Sequence, residues 1–193
     1  VKEKQLNNYH RYLDLPINII KPEKFNLSLN EVTHLKNLEY DYSYIDEFLS
    51  SIGLRVKKCE GFFTGHNQKV PTHTDGTTHV KINKTWGPDT GVTRWYTSKK
   101  IIDRSNNNKN LEIIEKYPDE IKFSEEEDCD LVYEASTNEL SLVNVSGPHG
   151  TYNPSLTQGR WTLAIDIGND HRPSIYWDEA LEYFKNYIID RRL

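Results

Sequence analysis

Arg160-Trp161-Thr162-Leu163-Ala164-Ile165-Asp166-Ile167 is the stretch that decides the fold class of this 193-residue chain. Trp161, Leu163, Ile165 and Ile167 alternate with Thr162, Ala164 and Asp166. Successive side chains of a strand point to opposite faces, so this alternation predicts a strand half-buried through its apolar face. Working back from it, residues 131–135 and 139–146 read as a hairpin with Thr137-Asn138 at the turn. Residues 54–64, 77–86 and 92–97 read as further strands, rich in β-branched and aromatic side chains. No helical segment separates these central strands, so a parallel βαβ arrangement lacks its crossovers. The expectation is a mainly β domain with flanking helices, built as an antiparallel sandwich or jelly roll.

The helices are expected at the ends. Residues 1–53 form a partly helical N-terminal flank. Asn30 is placed to cap a short helix running to Leu38, and residues 44–51 read as a second helix stopped near Gly53. Residues 174–193 read as a C-terminal helix, with Trp177, Leu181, Phe184 and Ile188 on one face as a packing stripe. The core, residues 54–168, is interrupted by a polar excursion over 98–130 that holds Asn106-Asn107-Asn108 and Glu125-Glu126-Glu127-Asp128. A short helical piece is expected there around 111–117. Connections of such length are often lids or binding loops. The whole chain, 1–193, reads as one domain.

Composition narrows the partners. A net charge of -5 gives no electrostatic reason to expect nucleic acid. No apolar run approaches the ~18 residues of a membrane span and no signal peptide is visible, so a cytoplasmic setting without a membrane is expected. Cys59 and Cys129 form neither a metal spacing nor a disulfide framework. The partner expected is a substrate, either a small molecule or a peptidyl group. The oligomeric state is not readable.

The chemistry is carried by His73-Thr74-Asp75, His149 and Arg160. His-x-Asp alone is a weak motif, but side chains at i and i+2 of an extended segment share a face. Pro71 and Gly76 bracket the motif as a strand end entering a turn. His149 follows the apolar stretch 139–146, and in a sandwich its strand end can lie beside the one bearing His73. Two imidazoles and one carboxylate occupy one face of an octahedral ion and leave three sites open, the arrangement of non-haem Fe(II) oxygenases. A bidentate 2-oxo acid would fill two of the open sites and O2 the third. Arg160 starts the next strand, and an inward guanidinium needs a carboxylate to pair with. Thr162, on the same face, is placed to add a hydroxyl bond to that carboxylate. Asn83 and His79 are candidates for contacts to the co-substrate or to the ligands. Trp95 and Tyr96 are candidate pocket residues, and Asn153 a brace for the loop bearing His149. His10, His34, His66 and His171 show no partner pattern.

These residues resemble the Fe(II)/2-oxoglutarate-dependent oxygenase superfamily. The stretch from His149 to Asn153 followed by Arg160 to Asp166 is similar to the distal half of the aspartyl/asparaginyl β-hydroxylase-like branch. Gly91-Val-Thr-Arg-Trp95-Tyr96 is similar to small prolyl-hydroxylase-like members. The resemblance covers roughly residues 62–168. It implies a double-stranded β-helix, a distorted, cupin-like jelly roll, with iron in its mouth. It further implies a dioxygenase reaction: 2-oxoglutarate is decarboxylated to succinate and a C–H bond is hydroxylated with O2. His73, Asp75 and His149 would be the metal ligands, and Arg160, Thr162 and Asn83 would bind the co-substrate. Two other readings of the same residues are a cupin-like module that binds metal or sugar without oxygen chemistry, and a metal-dependent hydrolase or isomerase.

Overall fold

The computed structural model describes residues 8–36, 38–75, 77–98, 121–123 and 129–189. Among the described residues, twelve strands form two antiparallel sheets. They are β1 (His10–Leu13), β2 (Thr33–Leu35), β3 (Arg55–Thr64), β4 (Gln68–Asp75), β5 (Val80–Trp86), β6 (Val92–Ser98), β7 (Ile121–Phe123), β8 (Cys129–Ala135), β9 (Ser141–Asn144), β10 (His149–Asn153), β11 (Arg160–Gly168) and β12 (Ile188–Ile189). The larger sheet has the order β12-β1-β9-β5-β11-β3-β2 and the smaller β7-β4-β10-β6-β8. Eight of these strands make the core of the fold. In chain order, β3, β5, β9 and β11 fall in the large sheet, and β4, β6, β8 and β10 in the small one. The resulting orders, β9-β5-β11-β3 and β4-β10-β6-β8, are those of a double-stranded β-helix, the jelly roll of the cupin type.

A smaller apolar cluster joins Val143, Val145 and Trp95, and the larger core cluster lies on the outer face of the large sheet. Leu163, Ile165 and Ile167 of β11 and Val80 and Ile82 of β5 are fully buried there. They pack in one cluster with Ile45 and Leu49 of α1 (Ser43–Ser51) and Ala180 and Phe184 of α2 (Trp177–Phe184). Phe25 stacks flat on Trp161, 4.5 Å between ring centroids, and the Trp161 indole donates to Leu27 O at 2.9 Å. Each such side chain contributes about 1.5–3 kcal/mol by leaving water. Helix α1 ends where expected, before Gly53 at φ +83, a conformation that costs glycine little.

The structure corrects four expectations. Residues 30–38 do not form a helix: Thr33–Leu35 is β2, which completes the open edge of β3 opposite Gly61, Phe62 and Phe63. Pairing with a ready-made edge outweighs the local capping signal. Residues 131–135 and 139–146 are not a hairpin. β8 pairs with β6 and β9 with β1 and β5, so Thr137 lies on a link between sheets. That link is held inward, with Thr137 wholly buried and its carbonyl accepting from Thr85 N at 2.8 Å. The C-terminal helix stops at Phe184, and Ile188 and Ile189 pair with Leu13 and Tyr12 instead. β11 is buried on both faces, because Arg160, Thr162, Ala164 and Asp166 point into the space between the sheets. Within the polar excursion, Ile121–Phe123 pairs with β4 as β7, a strand not anticipated. The helix expected near 111–117 and the lid reading lie outside the described residues. Among the described residues no helix is long and apolar enough to cross a membrane.

One buried titratable group sits away from the cavity. His10 is buried on β1, 3.0 Å from Ser141 Oγ, and burial, helped by the Arg11 charge, pushes its pKa down to about 4. The folded state thus favours neutral His10, while the unfolded chain protonates near the ordinary value of 6.5. Its contribution to stability is complete above that value and is lost as the pH falls toward 4. Urea unfolding of wild type is expected to lose on the order of 2 kcal/mol more than His10→Gln between pH 7 and about pH 4.5. Equal losses would show that His10 is not responsible.

Candidate metal centre

The register of β4 and β10 builds the site. His73 and Asp75 share a face of β4 as i and i+2, and β10 places His149 directly opposite His73. The two imidazole centroids are 4.4 Å apart. Nε2 of His73 lies 3.6 Å and Nε2 of His149 3.8 Å from the same oxygen, Asp75 Oδ1. One ligand atom from each of the three residues lies within 4.8 Å of the others. The structure therefore gathers the three side chains that the sequence singled out at positions 73, 75 and 149.

Hydrogen bonds orient both rings in the same way. His73 Nδ1 meets Pro71 O at 2.8 Å and His149 Nδ1 meets Gly147 O at 3.0 Å, each the carbonyl two residues earlier. A carbonyl only accepts, so each Nδ1 donates a proton to it, which leaves Nε2 as the ring nitrogen available to a metal ion. Burial, with the neighbouring His73 charge, pushes His149 down to about 4. Burial works against the Asp75 charge, but Lys81, His149 and His73 outweigh it and bring the carboxyl down to about 2. A neutral imidazole at His149 and an ionised carboxylate at Asp75 are protonation states that metal ligation requires.

Lys81 is the residue that sequence reasoning missed. It is buried, with Nζ 2.7 Å from Asp75 Oδ2 and 3.3 Å from Asp166 Oδ1. Thr78 donates to the other Asp166 oxygen at 3.1 Å. Burial alone would lower the Lys81 pKa, but the two carboxylates hold it above its ordinary value. Burial raises the Asp166 carboxyl against the opposing pull of Lys81. The signal available in sequence was parity: Lys81 and Asn83 alternate with Val80 and Ile82, so both face away from the apolar core.

A cavity of about 380 Å³ opens between the sheets from these residues, and Asn83, Thr162, Ala164 and Asp166 form part of its wall. Asn83 Oδ1 is buried without a partner among the described residues. On another wall, His34 stacks on Phe62 at 4.2 Å and its Nε2 lies 3.0 Å from Glu60 Oε1. Lys58 reaches the same oxygen at 2.9 Å. Burial opposes the Glu60 charge, yet His34 and Lys58 hold its carboxyl below the ordinary range. His34, to which the sequence assigned no partner, is thus a cavity residue.

Arg160 stands one layer behind the cavity wall. It is 1 % exposed and donates to Val92 O at 3.0 Å, Thr137 Oγ1 at 3.1 Å and Thr85 Oγ1 at 3.3 Å. Thr85 in turn contacts Thr162 Oγ1 at 2.9 Å, which faces the cavity. Among the described residues no carboxylate pairs with Arg160, and its Nε has no partner. Burial pushes its pKa down to about 10. Asn153 acts differently from the brace expected for its own loop. Its Nδ2 reaches Gly65 O at 2.9 Å and Gln158 O at 2.8 Å, tying β10 to the β3–β4 turn and to the approach to β11. Trp95 is core, its indole donating to Asn144 O at 2.7 Å. His79 stacks near Tyr176, outside the cavity wall.

No protein-family model matches the chain, and no curated protein matches it. Among solved structures, it is similar to HygX from Streptomyces hygroscopicus with nickel and 2-oxoglutarate bound. That match has 14% identity and a TM-score of 0.43, and covers 75% of this chain and 72% of HygX. The non-heme alpha-ketoglutarate-dependent epimerase SnoN matches at 12% identity and TM-score 0.36, over 66% of this chain and 52% of SnoN. Oxalate oxidase in complex with glycolate matches at 10% identity and TM-score 0.36, over 91% and 88% of the two chains. Likenesses of this strength say nothing about the chemistry of the chain, which rests on its own residues.

Space for Arg160 depends on Gly87. A Cβ there would lie 2.5 Å from Arg160 Cβ and 2.8 Å from its Cα, and the backbone atom has little freedom to move. Gly87→Ala is expected to cost about 1–3 kcal/mol by overpacking. An unchanged urea midpoint would show that the strand end yields without strain.

Proposed function

We propose that the chain is a non-haem Fe(II)- and 2-oxoglutarate-dependent dioxygenase that hydroxylates an unactivated C–H bond of its substrate. The observation that carries this reading is a three-residue metal constellation on the wall of a cavity, with a buried guanidinium one layer behind that wall that has no carboxylate partner among the described residues. The donor set fits the ion: imidazole nitrogens suit iron, and a single carboxylate keeps the centre near neutral charge. When bound, iron, 2-oxoglutarate and O2 supply the oxidising chemistry, with release of succinate and CO2.

The residues divide the remaining work. His73, Asp75 and His149 would hold the ion through Nε2, one carboxylate oxygen and Nε2. Arg160 would neutralise the far carboxylate of 2-oxoglutarate, which gives the guanidinium the anion it lacks. Thr162 would donate its hydroxyl to the same group, and Asn83 offers a side-chain amide along the way. Ala164, between Thr162 and Asp166 on the same face of β11, keeps that wall clear of bulk. The surrounding sheets exclude water from the reacting groups. A module that only binds a metal or a sugar has no use for the buried cation.

Binding and turnover test this in separate steps. Mn(II)-loaded protein is expected to bind 2-oxoglutarate in calorimetry, and Arg160→Gln to weaken that binding at least about tenfold, near 1.4 kcal/mol. Equal affinity in the variant would remove Arg160 from the co-substrate site. With Fe(II), 2-oxoglutarate and a substrate panel, wild type is expected to release succinate and Asp75→Ala none. Full succinate release by Asp75→Ala would overturn the metal assignment.

A further inference from the structure

The two oxygens of Asp75 are used differently. Oδ1 is the oxygen nearest both His73 Nε2 and His149 Nε2, at 3.6 and 3.8 Å, whereas Oδ2 meets Lys81 Nζ at 2.7 Å. Lys81 has little freedom to leave. Asp166 holds its ammonium from the other side at 3.3 Å, and Thr78 fixes Asp166. Val80 and Ile82 anchor the strand in the core on either side. Resting on the metal centre proposed above, we propose that Lys81 is a positioning residue that reserves Asp75 Oδ2 and so restricts Asp75 to one-oxygen ligation.

The physical reason for such a device lies in coordination count. A free carboxylate can close onto an ion with one oxygen or two. Two imidazoles and one oxygen take three positions of an octahedral ion and leave three; a second carboxylate oxygen would leave two. Three open positions are what a chelating 2-oxo acid and O2 together require. A short, charge-assisted hydrogen bond to Oδ2 opposes closure because that bond must break first. Fold stability is a poor alternative reason for the cluster. Buried ion groups are commonly matched or bettered by apolar residues of the same volume. Here two carboxylates and one ammonium are buried together at the one carboxylate that faces both imidazoles.

The test counts waters on bound Mn(II), without 2-oxoglutarate and without turnover. Water-proton relaxation of Mn(II)-loaded protein reports exchangeable water ligands. Lys81→Met paired with Asp166→Asn removes the donor and the carboxylate that would otherwise be stranded; Lys81→Gln with Asp166→Asn retains a neutral donor to Oδ2. The Met variant is expected to carry one exchangeable water fewer than wild type, and the Gln variant to keep the wild-type number. Unchanged hydration in the folded, Mn(II)-loaded Met variant overturns the proposal. Should that variant fail to fold, the Gln variant and the wild type still test the proposal. Infrared spectra of protein labelled with 13C at the aspartate carboxyls, with and without Mn(II), are expected to show the wide separation of carboxylate stretches typical of one-oxygen ligation. A narrow, two-oxygen separation on Mn(II) addition overturns the proposal. A wild type that binds no Mn(II) refutes the metal centre itself and is thereby distinguished from either result.

Discussion

The antiparallel pairing of β4 with β10 sets His149 across from His73, and the rest of the site depends on that register. A slip of one residue would turn the imidazole of His149 to the other face of the small sheet. Several contacts guard against it. The Nδ1 bonds to Pro71 O and Gly147 O lock each ring to the carbonyl two residues before it. Asn153, at the far end of β10, is held by carbonyls of the β3–β4 turn, so the strand is fixed at both ends. Gly150 lets β10 approach Val70 O closely, where a Cβ would come within 2.8 Å. The metal constellation is thus a property of backbone pairing first and of side chains second.

Electrostatics then divides the cavity. At one end Lys81 stands between Asp75 and Asp166, so three buried charges largely satisfy one another. On the β3 side Glu60 is held by His34 and Lys58. Behind the wall at the other end, Arg160 has only neutral acceptors among the described residues, Val92 O and two threonine hydroxyls. Neutral acceptors satisfy its hydrogens but not its charge, and a buried charge without a counter-ion is costly. The imbalance is local to one end of the cavity, which is why it points to an anion at that end and not to a general affinity for acidic ligands.

How much of this was legible in the sequence follows from the range of each signal. The parity of His73 and Asp75 and the alternation along β11 are local, and both survive in the structure. Arg160 was legible as an inward cation because it keeps step with Thr162 and Asp166. The contact between His149 and His73 was reachable only by assuming a sandwich, since 76 residues separate them. The failures are of the opposite kind. Asn30 and Thr137-Asn138 carry sound local turn signals, but an open strand edge captured residues 33–35, and Thr137 was drawn inward toward Arg160. Lys81 escaped notice because a lysine on a strand normally faces water. The carboxylates Asp75 and Asp166, one of them 85 residues away, make its burial tolerable.

The placement of the apolar core explains how so polar an interior is sustained. In a sandwich the space between sheets is usually the hydrophobic core. Here the large sheet turns its apolar face outward, onto α1, α2 and Phe25, and its polar face inward. Burial of Leu163, Ile165, Ile167, Ile45 and Phe184 stabilises the strands from outside. On β5 and β11 the inner face is thereby relieved of most packing duty, which falls between the sheets to Val143, Val145 and Trp95, and can carry Lys81, Asp166, Asn83 and Thr162. Stability and chemistry are assigned to opposite faces of one sheet, at residues one position apart. A change of parity anywhere along β5 or β11 would therefore damage both at once.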